Sequence, residues 1–200
     1  MRKAILHLKR ADPLLKALVE RIGPYAQQMA PADFPALARS IVYQQLNGKA
    51  ASTIYGRLEA AVRGRVTPRT VLKLTEDRMR ELGLSKQKTS YIRDLAQTTI
   101  SREVDFRTLP AMPDEVVIAS LTAVRGIGVW TAQMFLIFAL GRPDVLPTAD
   151  LGIRAAMKNL YGLAELPKPA EMERIAAPWR PYCSVACWYL WRSLDNQGAL

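Results

Sequence analysis

Apolar residues recur along this chain at intervals of three and four, punctuated by glycine, proline and capping residues. That rhythm predicts helices almost throughout. Asp12-Pro13 opens a helix in which Leu14, Leu15, Leu18, Val19 and Ile22 form one stripe, and Gly23-Pro24 closes it. Asp33 or Pro35 starts the next, which runs through Leu37, Ile41 and Val42 to a break near Asn47-Gly48. The period resumes from Lys49 to Val62 and ends at Gly64. Thr67-Pro68 begins another helix around Val71, Leu72 and Leu74; Glu76 to Leu82 form a short one stopped by Gly83; Lys86 to Thr99 and Pro113 to Val124 continue the series. Alternating apolar-polar runs are few, so an all-α fold is expected.

Two further places carry chemistry. Between Leu121 and Leu140 two apolar helical patterns are joined by Gly126-Ile127-Gly128. Glycine there permits backbone angles and close approaches that a side chain forbids, and the amides that begin the second helix favour an anion. An ordinary helix-helix connection with a capping glycine fits the same letters. Ten residues on, Asp150 follows Leu146-Pro147-Thr148-Ala149 and precedes a new apolar helical pattern from Leu151. An Asp at that point is a favoured N-cap, and Thr148 is an alternative one. The same carboxylate also suits catalysis, and the two roles are compatible because a capping carboxylate is held in a fixed position.

Two hundred residues, half of them hydrophobic, suffice for one sizeable core or for two lobes sharing a cleft. The formal charge of +10 and pI near 9.9 favour polyanionic partners, nucleic acid ahead of an anionic membrane. The apolar stretch after Arg2 and Lys3 is too short for a signal peptide. The longest apolar run, Met134 to Leu140, falls far below the roughly 20 residues that span a bilayer. A soluble, cytoplasmic protein without membrane contact is expected. Cys183 and Cys187, four apart in an apolar pattern, read as packed thiols. Two cysteines and the distant His7 cannot build an iron-sulfur cluster or zinc site, and His7 itself reads as a surface or partly packed side chain.

The segment Val124-Arg125-Gly126-Ile127-Gly128-Val129-Trp130-Thr131-Ala132, with Leu146-Pro147-Thr148-Ala149-Asp150-Leu151-Gly152-Ile153, resembles the helix-hairpin-helix and Asp signature of the base-excision DNA glycosylases, in particular the DNA-3-methyladenine glycosylase II group. Ile41-Val42-Tyr43-Gln44-Gln45-Leu46 with Lys49-Ala50-Ala51, Gly83-Leu84-Ser85 with Lys88, and Trp179-Arg180-Pro181-Tyr182 with Trp188 to Arg192 extend the likeness over about residues 35 to 192.

The resemblance implies a two-lobed fold with the active site in the cleft between lobes. One lobe is expected over 34–115; the other comprises 1–33 and 116–200, with the helix-hairpin-helix at about 121–140. It implies that Asp150 is the catalytic aspartate and that alkylated purines such as 3-methyladenine and 7-methylguanine are flipped out of duplex DNA and hydrolysed off. Trp130, Trp191, Tyr43 and Tyr182 are the implied pocket aromatics. Gln45 or Leu46 is the implied wedge that fills the vacated space. Arg125, Gly126 and Gly128 form the implied phosphate-binding hairpin. The backbone carbonyls of Thr122, Val124 and Ile127 are implied to hold a monovalent cation, Na or K; no other cofactor is required. Bifunctional relatives carry a lysine where Trp130 stands, so the resemblance implies a monofunctional enzyme that leaves an abasic site.

The chain departs from the family in two ways. The extra N-terminal β domain of related proteins is not expected ahead of the first matching helix, and Cys183 stands where an arginine is expected after the Trp-x-Pro-aromatic motif. Other lesions remain alternative substrates: ethenoadenine, deaminated or oxidised bases. A non-enzymatic helix-hairpin-helix protein that binds damaged DNA is the other alternative. A monomer is expected.

Overall fold

The computed structural model describes residues 1–195, and among them the regular elements are helices with no strand. None of these helices is long and apolar enough to cross a membrane. Contacts divide the described residues into two compact units, one made of Met1–Met29 with 136–195, the other of Ala30–Phe135.

The first unit opens with α1 (Arg2–Ala11) and α2 (Pro13–Ile22). The chain then builds the second unit from α3 (Phe34–Tyr43), α4 (Gly48–Ala61), α5 (Pro68–Leu72), α6 (Glu76–Glu81), α7 (Lys86–Ser101) and α8 (Asp114–Thr122). Helix α9 (Val129–Phe138) carries the chain out of it, and α10 (Leu151–Tyr161), α11 (Pro169–Ala176) and α12 (Cys183–Asp195) complete the first unit. Capping explains many of the starts. Asp33, Asn47, Thr67, Thr75 and Ser85 each accept a first-turn N–H of α3 to α7 in turn, and Thr67 and Thr70 cap each other reciprocally. Because Asn47 is a cap rather than a loop residue, α4 begins at Gly48, one residue ahead of the expected Lys49. Helix α1 carries only a narrow buried stripe, Ala4 and Leu8, in a basic segment whose periodicity is too sparse to announce it.

The second unit packs Leu37, Ile41, Leu58, Val71, Met79, Ile92, Leu95, Val117 and Leu121 at zero to 2% exposure, the inward stripes of α3 to α8. It extends past the expected 34–115, because the hairpin after α8 is hydrogen-bonded to α7 and to the end of α3, as described below.

The first unit gathers its helices around one buried carboxylate. Asp12 Oδ1 caps α2 by accepting the N–H groups of Leu14 and Leu15 at 2.9 and 3.0 Å. Its Oδ2 accepts the Tyr161 hydroxyl at the end of α10 and, at 3.1 Å, the Trp179 indole N–H in the turn before α12. Trp179 is fully buried, as are the Leu8, Leu15, Ile153, Met157, Met172 and Tyr189 side chains around it. Loss of Asp12 therefore strips a cap and leaves a buried indole N–H and a largely buried hydroxyl without an acceptor. Asp12→Ala is expected to destabilise the protein by about 3 kcal/mol and to lower Tm by several degrees, and thermal unfolding followed by circular dichroism checks this.

Candidate active site

The approach to Asp150 is built by local bonds. Val145 to Pro147 are buried, the Val145 N–H donates to the Ser184 hydroxyl of α12 at 2.9 Å, and the Asp150 N–H closes a turn onto the Pro147 carbonyl at 2.9 Å. This delivers Asp150 to the N-cap of α10, where Oδ1 accepts the Ile153 N–H at 2.8 Å. The same oxygen accepts the Trp191 indole N–H at 3.0 Å. Asp150 is 8% exposed, so two donors from different helices fix a nearly buried carboxylate.

Gly152 relieves crowding at that meeting. A Cβ at this position would lie 3.1 Å from Asp150 Oδ1 and 3.3 Å from Trp191 Cδ1. Sequence reasoning assigned Gly152 no role. The available signal was a glycine in the first turn of a helix, where it costs helix propensity without a turn to justify it.

Trp191 is half-buried, and its ring lies tilted by 32° against Phe138, centroids 5.5 Å apart. Both rings line an open cleft of about 470 Å³ with Trp188, Arg192, Ala26 and Gln28. Tyr182, the other pocket aromatic expected from this unit, packs edge-on against His7, whose Nε2 lies 3.0 Å from the Pro178 carbonyl oxygen. The structure thus brings Asp150 and Trp191 into direct contact and places Tyr182 in a different neighbourhood. Cys183 is buried, and burial together with Asp144 pushes its thiol well above the usual range. Its backbone N–H donates to Asp144, and the adjacent Arg180 is committed to Asp144 and Glu173 at 3.0 and 2.8 Å.

The remaining expected site residues belong to the second unit, and α7 organises most of them. Lys88, Tyr91 and Asp94 recur at three-residue spacing on one face of that helix. Lys88 Nζ donates to the carbonyls of Val42 and Gln44, both at 2.7 Å, and burial lowers its pKa below that of an ordinary lysine. These bonds anchor the turn in which Gln45 adopts left-handed backbone, φ 56°, and in which Gln45 and Leu46 are exposed, Leu46 by 39%. The Tyr91 ring lies beneath Gly126, whose φ is +83°; a Cβ there would come within 2.0 Å of the ring. Asp94 accepts the backbone N–H of Arg125 at 2.8 Å and its guanidinium at 2.9 to 3.0 Å. Arg125 is therefore engaged in fixing the hairpin, although its side chain is 65% exposed. Finally, Gln44 Nε2 donates to the Gly126 carbonyl at 2.9 Å and ties the turn directly to the hairpin.

Gly128 differs from Gly126. Its φ is not left-handed, and nothing lies within 4 Å of an added Cβ, so nothing in the protein demands glycine there. Its carbonyl accepts the Ala132 N–H and opens α9. Trp130, in the first turn of α9, is 44% exposed. Tyr43 ends α3 beneath Arg39, whose guanidinium lies 4.3 Å over the ring and donates to the phenol oxygen at 2.7 Å. Val124 and Ile127 are buried, and the Val124 carbonyl accepts the Ile127 N–H at 3.1 Å; Thr122 ends α8. Among the described residues no group of three or more His, Cys, Asp or Glu is arranged to hold a metal ion.

Comparison with known proteins adds independent information. The family model described as HhH-GPD superfamily base excision DNA repair protein matches residues 38–181. A Schizosaccharomyces pombe relative, an alkylbase DNA glycosidase-like protein, is 28% identical over 197 residues, covering 96% of this chain and 92% of the relative. The crystal structure of a DNA-3-methyladenine glycosidase from Bacillus halodurans superposes with a TM-score of 0.90 at 37% identity, covering 98% of this chain and 90% of that one. A Schizosaccharomyces pombe 3-methyladenine DNA glycosylase in complex with abasic DNA superposes with a TM-score of 0.86 at 32% identity, covering 96% and 97%.

The two hairpin glycines separate experimentally. Gly126→Ala forces a side chain into the Tyr91 ring from a left-handed position and is expected to cost about 2–3 kcal/mol. Gly128→Ala meets no atom and is expected to cost less than about 1 kcal/mol. Chemical denaturation of the two variants side by side checks the difference.

Proposed function

Because the chain belongs to the HhH-GPD superfamily of base excision DNA repair proteins, we propose that Asp150 is the carboxylate with which it releases alkylated bases from duplex DNA. The protein is a DNA glycosylase of the 3-methyladenine class, acting in base excision repair. The observation that carries the assignment of Asp150 is its double anchorage: one oxygen is held between the Ile153 N–H and the Trp191 indole, and Gly152 leaves room for both.

The chemistry asks little more of the protein. An alkylated purine such as 3-methyladenine or 7-methylguanine carries positive charge, so when its bond to C1′ breaks it leaves with the electron pair as a neutral base and needs no strong general acid. Positive charge then develops on the sugar as an oxocarbenium ion. A fixed carboxylate stabilises that charge, and water adds to C1′ and gives up its proton to Asp150 or to solvent. The nearly buried setting strengthens the attraction relative to water. Trp191, backed by Phe138, and the exposed Trp130 offer π faces that attract an electron-poor, cationic base. Tyr43, held by Arg39, and Tyr182, packed on His7, have other partners and are given no part in this pocket. Trp130 has no amine with which to attack the sugar, so the product is an intact abasic site.

DNA is gripped and opened by the second unit. The amides that begin α9 face a phosphate, and Gly128 admits its close approach. Arg125 supports that grip from its Asp94 anchor. Gln45 or Leu46, exposed on the strained turn, fills the space that the flipped nucleotide vacates. The carbonyls of Thr122, Val124 and Ile127 lie at the end of α8 and in the turn after it, where helix bonding leaves oxygens without intrahelical donors. Their hard oxygen chemistry fits Na or K, which would add positive charge near the phosphate. The enzyme acts inside the cell as a monomer on duplex DNA that carries alkylated bases.

Release of 3-methyladenine and 7-methylguanine from methylated duplex DNA tests the assignment. Wild-type protein is expected to release both, whereas Asp150→Asn loses about a hundredfold or more of the rate and keeps duplex affinity. Unchanged release by that variant removes Asp150 from the mechanism. Trp191→Phe keeps an aromatic ring, though a smaller one, while deleting the N–H donor, and is expected to slow release by about tenfold with a smaller effect on binding. Borohydride is expected to trap no covalent complex between wild-type protein and damaged DNA; a trapped adduct contradicts the monofunctional reading.

A further inference from the structure

We propose that Lys88 and Gln44 are positioning residues that lock the wedge turn to the phosphate-gripping hairpin, so that gripping the backbone and displacing the base occur as one rigid act. This rests on the glycosylase reading given above. The physical problem is one of leverage. Pushing Gln45 or Leu46 into a base stack works against stacking and pairing, and a wedge on a loose turn would be deflected instead of displacing the base. The wedge turn is short and exposed, and Gln45 sits at φ 56°, a conformation that costs a non-glycine residue energy and persists only where neighbours impose it.

Those neighbours are Lys88 on α7 and the hairpin bonded to Gln44. Lys88 Nζ spans two carbonyls at 2.7 Å, those of Val42 and Gln44, and the second belongs to the peptide that leads into Gln45. The Gln44 side chain then donates to the Gly126 carbonyl at 2.9 Å. That carbonyl shares its peptide unit with the Ile127 N–H, which is bonded to the Val124 carbonyl at 3.1 Å, so the unit is held on both sides just ahead of Gly128. One turn along α7 from Lys88, the Tyr91 ring fills the space under Gly126, and one turn further Asp94 holds Arg125. The turn and the hairpin, 82 residues apart at their direct bond, are thus mounted on one face of one helix. Lys88 places two of its three ammonium hydrogens, and Gln44 one of its two amide hydrogens, on backbone carbonyls. Their action runs through the groups they hold.

Separating positioning from general folding requires two substrates. One duplex carries a single 7-methylguanine opposite cytosine, the other the same lesion opposite a tetrahydrofuran abasic analogue, where no pairing has to be broken. Single-turnover release is measured for wild type, Lys88→Met, Lys88→Arg and Gln44→Leu, with Tm recorded for each. Lys88→Met and Gln44→Leu are expected to lose about tenfold or more on the paired lesion and less than about threefold on the unpaired one. Lys88→Arg, which keeps donors near both carbonyls, is expected to recover part of the paired activity at the same Tm. Equal losses on the two substrates, or losses that follow Tm alone, overturn the coupling and leave the glycosylase reading intact. Full activity of Lys88→Met and Gln44→Leu on the paired lesion also overturns it. Failure of the wild type on both substrates overturns the glycosylase reading and this proposal with it.

Discussion

The arrangement around Asp150 depends on a single oxygen being held from two directions. An N-capping carboxylate is common, and by itself it marks only where a helix starts. What sets Asp150 apart is that the oxygen capping α10 also accepts the Trp191 indole N–H from α12, past a glycine at 152 where a Cβ would crowd both groups. A cap alone leaves a carboxylate rotamer some freedom; the second donor removes it. An electrostatic catalyst gains from that rigidity, since a charge already in place has no reorganisation to undergo when the sugar becomes cationic.

The same economy appears in how charge is deployed. A net charge of +10 favours duplex association in a salt-dependent way, yet the side chains fixed most firmly near the hairpin are used on the protein itself. Arg125 is bound to Asp94 and Lys88 to two carbonyls. In the first unit Asp12 performs the corresponding structural task, satisfying Trp179 and Tyr161 while capping α2.

Much of this is legible in the sequence. Glycine, proline and Asx or Ser/Thr caps announced the ends of most helices, because those signals act within four residues of chain. The capping role of Asp150 was legible for the same reason, whereas the glycosylase reading of the hairpin and Asp150 came from the resemblance of several motifs taken together. What sequence could not deliver was partnership at a distance. Asp12 reads as a helix opener, but its bonds to Tyr161 and Trp179 span 149 and 167 positions. Lys88 and Asp94 look like solvated charges on a basic helix until Val42, Gln44 and Arg125 are seen against them. Gly152 looks like a weak point in a helix until Trp191 arrives from 39 residues further along the chain. Helix α1 escaped for a different reason, since two buried residues in a basic decapeptide make too thin a stripe to recognise. Tyr182 illustrates the converse, a motif aromatic whose observed ring contact is His7 rather than Asp150.

The central claim is electrostatic: the carboxylate held by Trp191 and Ile153 favours positive charge at the sugar. It is tested most directly with two uncleavable duplexes, one carrying a cationic pyrrolidine in place of the damaged nucleotide, the other its neutral tetrahydrofuran counterpart. Wild-type protein is expected to bind the cationic duplex more tightly by about tenfold or more, and Asp150→Asn is expected to erase that preference while binding the neutral duplex as well as before. A preference for the cation that survives in Asp150→Asn would contradict the account.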